Sequence, residues 1–242
     1  MALPSLTRLH EVTFEQLRIV STATLTSQLL RHGFRNRALA GLTPMKPDLR
    51  MVGYAFTLRY APSREDLDRP NDIDNKTNVQ RLAVETIGAD EILVIDARGN
   101  TRAGVLGDLL ATRMQQRGAA GLVTDGAVRD SPSLGRLEFP IYSAGSHPNP
   151  SLVAHHPVDM NVPIGCAGVL VMPGDVVVGD GEAVVVIPHA LAEQVAGDAF
   201  EQEQLEAFIH AKIQGGSSIL GLYPPDEATI REYRNTRIAS EP

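Results

Sequence analysis

The sequence predicts a mixed α/β fold in which a sandwich is built from short strands and a few helices. Three observations carry that expectation. Several short runs of Val, Ile and Leu, such as Glu91–Asp96 (EILVID) and Ala183–Ile187 (AVVVI), have the length and β-branched content of buried strands. Some of these runs are separated by tight Gly/Asp turns and others by helical stretches, which is the pattern of mixed rather than purely alternating topology. Neither GxGxxG nor a P-loop motif is present, so a simple nucleotide-binding repeat is not indicated.

Taken in order, residues 1–16 read as an arm entering a helix. Thr13 to His32 carries Leu17, Val20, Leu25, Leu29 and Leu30 near a 3.6 period, and Gly33 is placed to end that helix. Residues 35–50 read as loop. Met51–Tyr60 reads as a strand, 61–75 (APSREDLDRPNDIDN) as a charged, mobile or inserted loop, and Asn78–Ile87 as a short helix. Glu91–Asp96 is a buried strand. Leu109–Arg117 is a helix with Leu110, Ala111 and Met114 inward, and Leu122–Thr124 is a short strand ended by an Asp125-Gly126 turn. Phe139–Ser143 is a strand, and 145–163, with four prolines and adjacent histidines, is an irregular excursion. Ala167–Met172, Asp175–Gly179 and Ala183–Ile187 are strands joined by PGD and GDGE turns. A long helix runs from Ala190 to about Gln214, and a tail with a second short helix follows.

Composition narrows the function. The chain has 242 residues, 43% of them hydrophobic, a formal net charge of -7 and no Trp. An acidic chain without a Lys/Arg cluster and with few aromatic rings lacks the footprint of a nucleic-acid binder. No apolar run reaches membrane-spanning length. The N-terminus has no signal-peptide core, and the single cysteine, Cys166, permits no intramolecular disulfide. Together these point to a cytoplasmic protein with no nucleic-acid or membrane partner. Cys166, in an apolar stretch, reads as a small buried hydrophobe.

Two stretches carry chemistry. Gly107-Asp108-Leu109-Leu110 opens a helix. Its first N–H groups lack intrahelical partners and, with the helix dipole, favour an anion there; Asp108 is a candidate N-cap. Downstream, Arg129 and Asp130 stand side by side after a buried strand. An arginine fork grips a carboxylate or enolate, and one carboxylate with water suffices for Mg²⁺. Adjacent residues of an extended segment point apart, so an Arg129–Asp130 ion pair is not the default. His147, His155 and His156 show no zinc spacing and read as scattered loop residues. Ser143, Ser146 and Ser151 lack a nucleophile elbow.

Gly107-Asp108-Leu109-Leu110-Ala111, Arg117-Gly118, Gly121-Leu122-Val123 and Asp125-Gly126-Ala127-Val128-Arg129-Asp130 together resemble the RraA-like family. This family includes class II 4-hydroxy-4-methyl-2-oxoglutarate/4-carboxy-4-hydroxy-2-oxoadipate aldolases and protein regulators of ribonuclease E. Gly168 to Asp175 and Ala183 to Pro188 continue the likeness, which covers about residues 20–210 of one domain spanning 1–242, with 215–242 as a C-terminal tail.

The resemblance implies a β/β/α swivelling-domain-like sandwich with extra N- and C-terminal helices, assembled as a homotrimer or homohexamer. It implies that backbone groups of Gly107, Asp108, Leu109 and Leu110 bind a pyruvate unit and that Arg129 holds the keto oxygen. Asp130 would bind a divalent metal, Mg²⁺ or Mn²⁺, and Asp108 would hydrogen-bond a water of its shell or a substrate group. An acid from a neighbouring subunit's C-terminal helix, Glu203 or Glu206, would complete the site. Two departures, Gly179-Asp180 and Glu182-Ala183, lie away from Arg129 and Asp130 and bear on subfamily rather than chemistry.

The expected function is a metal-dependent carbon–carbon lyase acting on a 2-keto acid, by retro-aldol cleavage or oxaloacetate decarboxylation. A lysine Schiff base is disfavoured, since the three lysines, at positions 46, 76 and 212, lie outside the candidate stretches. The alternatives are a non-catalytic regulator of a ribonuclease and a hydrolase or hydratase of a diketo sugar acid.

Overall fold

A computed structural model describes residues 7–71 and 74–240. Residues 1–6 of the expected arm, 72 and 73 of the charged loop, and 241–242 of the tail lie outside the described residues.

The N-terminal helical stretch is two helices, α1 (Glu11–Ile19) and α2 (Thr22–Arg31), rather than one. Val20 is extended and Ser21 caps α2, its hydroxyl accepting from the Thr24 N–H at 3.1 Å. A side-chain oxygen at that position satisfies a helix-start donor, so the chain re-nucleates there instead of continuing. Gly33, at φ +86°, ends α2 as expected.

A curled mixed sheet forms the body. Its strands are β1 (Thr43–Pro44), β2 (Met51–Pro62), β3 (Glu91–Asp96), β4 (Gly121–Val128), β5 (Ile141–Ser146), β6 (His155–Met160), β9 (Val176–Gly179) and β10 (Val184–Ile187). The order is β1-β5-β4-β3-β2-β9-β10, with β6 also pairing β2. β2 to β5 run parallel, and β9 and β10 form an antiparallel hairpin on the other side of β2. A separate hairpin pairs β7 (Ile164–Cys166) with β8 (Val169–Val171). The predicted strand 167–172 is therefore a two-residue turn plus a strand. Ala167 and Gly168 both have positive φ, as tight hairpin turns require.

Three apolar layers hold the sheet. α3 (Val79–Thr86) and α4 (Asp108–Gln116) cover one face, where Phe56, Leu58, Leu93 and Ile95 meet Ala83, Val84, Ala111 and Met114. α1, α2 and α6 (Ala192–Gln214) cover the β9–β10 region through Leu17, Leu25, Val195 and Ala199. The hollow of the curl is filled by Val94, Val123, Tyr142, Ile164 and Val171. Val176 and Val178 face α6 whereas Val177 faces the curl, so this short strand is apolar on both sides. Cys166 is fully buried in this inner layer, and burial pushes its thiol well up. α7 (Glu227–Ser240) forms the C-terminal addition.

Two segments depart from the sequence reading. Asp125-Gly126 is not a turn: β4 continues through it with a register shift between Thr124 and Ala127. An Asp-Gly pair suits a bulge as well as a turn. Here the buried Asp125 carboxylate accepts from the N–H groups of Ala97 (2.7 Å) and Gly99 (3.0 Å), holding the loop after β3. Residues 155–160 are a strand, not an excursion, with Pro157 at a register irregularity opposite Tyr60. That position needs no ladder N–H.

The β9–β10 turn is held by Asp180, 7% exposed. Its carboxylate accepts from Thr22 N–H (2.8 Å), Thr22 Oγ1 (2.9 Å), Glu182 N–H (2.9 Å) and Ala183 N–H (3.1 Å). Burial opposes ionisation, but these donors outweigh it and hold the carboxyl below its ordinary 3.8. The stabilisation is complete above that value and is lost as pH falls below it through the lowered folded value. Asp180→Ala is expected to cost about 3 kcal/mol, roughly 6–12 °C in melting temperature at neutral pH. The difference from wild type should shrink as melts are repeated at progressively lower pH through and below the ordinary carboxylate range.

Candidate active site

The candidate residues converge at the carboxyl edge of the parallel strands, where open α/β sheets place their ligands. β4 ends at Val128 and is followed by Arg129, Asp130 and the short helix α5 (Ser131–Leu134), with a loop along each edge of the strand end. On one edge, Val105 N–H donates to Ala127 C=O (2.7 Å) and Arg129 N–H donates to Leu106 C=O (3.0 Å). On the other, His147 N–H donates to Val128 C=O (2.8 Å). Arg129 and Asp130 thus lie between the glycine loop 104–107 and the segment 146–148.

The glycines are there for close approach. A Cβ on Gly104 would meet Arg129 N and Cβ at 2.7 Å. A Cβ on Gly107 would meet Asp130 Oδ2 at 2.2 Å and Arg129 Cγ at 3.0 Å. Gly107, not Asp108, is the N-cap of α4. Asp108 is the first helical residue and makes no side-chain cap bond, so it acts on this helix only through its charge in the first turn. The first intrahelical bond is Ala111 N–H to Gly107 C=O (3.2 Å), leaving the N–H groups of Asp108, Leu109 and Leu110 ahead of it. The Leu109 side chain is 82% exposed, whereas Leu110 packs on the core.

Asp130 adopts a left-handed conformation, φ 57° and ψ 34°, which a short polar side chain tolerates better than most. This turn brings its Oδ2 to 3.5 Å from Arg129 Nε, outside hydrogen-bond geometry. The two side chains therefore face one another, contrary to the extended-strand expectation, because the strand has already ended. Arg129 Nε makes no hydrogen bond among the described residues, and its charge is met by the Asp130 carboxylate.

A cleft of about 340 Å³ lies here, lined by Arg129, Asp130, Ser131, Pro132, Ser146, His147 and Pro148. A larger hollow of about 890 Å³, between α2, α6 and α7, contains none of these residues. His147 was read as a scattered histidine. No spacing pattern marks it, since its partners are backbone groups; the available signal was its place just past the end of a parallel strand.

Behind the glycine loop lies a buried polar triad. Gln80 Nε2 donates to Val105 C=O (2.5 Å) and to Tyr60 Oη (2.9 Å), the Tyr60 hydroxyl donates to Val105 C=O (3.2 Å), and His155 Nε2 donates to Ala103 C=O (3.3 Å). Burial lowers the His155 pKa, consistent with a neutral ring. These contacts fix the Ala103 and Val105 carbonyls of the glycine loop.

Glu203 and Glu206 are not at this place within one chain. They lie on α6, which packs on α1 and α2. Glu203 Oε1 accepts from Ser21 N–H (2.9 Å) and Oγ (2.7 Å); burial disfavours its charge, but these bonds hold its pKa below the ordinary value. Glu206 accepts from Gln202 (2.7 Å).

The donor set fits a hydrated hard cation rather than a protein cage. Among the described residues no group of three or more His, Cys, Asp or Glu could enclose a metal. One or two free carboxylates beside a cleft are what Mg²⁺ needs when it keeps its waters.

A curled mixed sheet with a glycine loop, a helix N-terminus and an Arg-Asp pair at its carboxyl edge defines a mixed α/β sandwich. The chain belongs to the RraA-like (Aldolase/RraA) family, whose model matches residues 22–186. A protein of Halalkalibacterium halodurans, provisionally named a 4-hydroxy-4-methyl-2-oxoglutarate aldolase, is 30% identical over 191 residues, covering 78% of this chain and 82% of that protein. The crystal structure of Streptomyces coelicolor RraAS2, described as an unusual member of the RNase ES inhibitor RraA protein family, superposes with a TM-score of 0.75. It is 32% identical, over 84% of this chain and 97% of that one. An uncharacterized protein from Pseudomonas syringae gives a TM-score of 0.80 at 25% identity, over 92% and 98% of the two chains. Among the described residues no helix is long and apolar enough to cross a membrane.

Proposed function

We propose that this chain is a divalent-metal-dependent lyase that cleaves a 4-hydroxy-2-oxo acid by retro-aldol chemistry and decarboxylates oxaloacetate through the same pyruvate enolate. The observation that carries this reading is the Arg129–Asp130 ion pair at the cleft, with Gly107 packed closely against both side chains. In the cleavage the C3–C4 bond breaks and its electron pair forms the C2–C3 enolate, the C4 hydroxyl gives its proton to solvent as C4 becomes a carbonyl, and the enolate then takes a proton at C3 to give pyruvate. Arg129 holds the C2 oxygen as negative charge develops, a preorganised donor that needs no rearrangement. The N–H groups of Asp108, Leu109 and Leu110 receive the C1 carboxylate. Asp130, with Asp108 near it, would hold Mg²⁺ or Mn²⁺, which supplies Lewis-acid polarisation of the keto acid when bound. No lysine lines the cleft, so no Schiff base competes with this route.

A neighbouring copy in a trimer or hexamer would contribute an acid. Glu206 suits that role better than Glu203, which already caps α2 in its own chain.

The test is pyruvate release from 4-hydroxy-4-methyl-2-oxoglutarate and from oxaloacetate, with Mg²⁺ and with EDTA. Mg²⁺-dependent release is expected from both. No release from either substrate sinks the reading, and products other than pyruvate would indicate hydration or hydrolysis instead. The likeness to the Streptomyces protein favours a second reading, a regulator of a ribonuclease. Metal-independent inhibition of a purified ribonuclease, without lyase activity, would establish that one.

A further inference from the structure

The segment 146–148 forms a wall of the cleft to which neither the fold nor the proposed chemistry gives a task. It enters directly from β5, and its backbone is tied on both sides. His147 N–H donates to Val128 C=O (2.8 Å), Asn149 C=O accepts from Gly104 N–H (3.0 Å), and Asn149 Nδ2 donates to Arg102 C=O (3.4 Å). The wall is therefore pinned both to the strand end that carries Arg129 and to the glycine loop.

The imidazole of His147 is equally constrained. Asn149 N–H donates to His147 Nδ1 at 3.1 Å. A backbone N–H can only donate, so Nδ1 must be the unprotonated acceptor. The neutral ring then carries its proton on Nε2. Among the described residues Nε2 has no protein partner, and the half-buried ring lines the cleft with Arg129 and Asp130. A ring fixed in this tautomer presents a donor and cannot take a proton at Nε2.

Position assigns the target of that donor. The α4 N-terminus and glycine loop lie along one edge of the β4 end and His147 along the other. With the keto oxygen on Arg129, the opposite wall of the cleft available to the rest of the substrate is the segment that carries His147. We propose that His147 is a specificity-determining residue whose Nε2–H hydrogen-bonds a carboxylate oxygen on the half of the substrate beyond the enolate-forming carbons. This inference rests on the lyase reading. It selects substrates that carry a carboxylate on that distal half over those with an apolar group there.

Two measurements test it. In the first, kcat and KM are determined for 4-hydroxy-4-methyl-2-oxoglutarate and for an analogue whose distal carboxylate is replaced by a methyl group. His147→Leu should lower kcat/KM for the dicarboxylate by roughly 10- to 100-fold, mainly through KM, and should lower its preference over the analogue by a similar factor. His147→Gln, which keeps an N–H donor, should recover most of the loss. Equal losses on both substrates, or a fall in kcat alone, would overturn the proposal.

The second measurement does not depend on turnover. Nitrogen-15 NMR of the imidazole should show Nε2 protonated and Nδ1 bare. Its Nε2 signal should shift with 2-oxoglutarate, which lacks the cleavable hydroxyl, and not with pyruvate. The opposite tautomer, or equal shifts with both acids, would overturn it. Absence of pyruvate release by the wild-type chain would instead count against the lyase reading, while the NMR result still decides whether His147 senses a distal carboxylate.

Discussion

Arg129→Ala is expected to lower kcat/KM for pyruvate release by about 10²- to 10³-fold, the range lost when one preorganised oxyanion donor is removed. The same change should leave folding stability nearly untouched. Arg129 Nε makes no hydrogen bond among the described residues, and its ion pair with Asp130 is partly exposed and 3.5 Å long. Removing it takes away a contact of little net worth. Steady-state kinetics and a thermal melt on one preparation check both halves. Arg129→Lys should recover little, since an ammonium cannot reproduce the planar fork at Nε. A large drop in melting temperature with proportionate loss of activity would mean that Arg129 holds structure rather than charge.

Gly107→Ala is expected to abolish most activity by a different route. The backbone at Gly107, φ −123°, suits any residue, so the chain should fold. The added methyl, however, would fall 2.2 Å from Asp130 Oδ2 and 3.0 Å from Arg129 Cγ. Asp130 is half exposed and can swing aside, which spares the fold and misplaces the carboxylate. A displacement of about 1 Å at a positioned group costs on the order of 10²-fold in rate. A rise in the Mg²⁺ concentration needed for half-maximal activity should accompany that loss. Wild-type kinetics in Gly107→Ala would remove Asp130 from the site.

Much of the scaffold was legible because its signals are local. Glu91–Asp96 is a strand with the limits that its apolar run suggests, and α3, α4 and α6 lie within a residue or two of the helix limits expected for them. What escaped the sequence depends on tertiary partners. Asp125-Gly126 has turn composition, but the three N–H groups that claim its carboxylate come from the loop after β3 and from the β7–β8 turn. Pro157 argues against a strand until β2 offers an irregular position that needs no donor. At the site, Gly107, Arg129 and Asp130 could be read together because the glycine loop and the Arg-Asp pair carry recognisable residues. That Asp130 turns back on Arg129 follows from a left-handed backbone that residue identity does not announce. His147 was passed over because the group that sets its tautomer is a main-chain N–H two residues on, and main-chain donors are invisible in a pattern of side chains.

The long strand β2 has one more consequence. It pairs in turn with β9, β3 and β6, and it sends Tyr54, Met51 and Phe56 into three different apolar layers. No layer can come apart without exposing residues of this strand, so the sheet unfolds as one cooperative unit. The loops around Arg129 sit at the carboxyl edge, outside that shared element, and are tied instead to β4 and to one another by main-chain hydrogen bonds. Cohesion of the sheet and geometry of the site are thereby assigned to different sets of contacts.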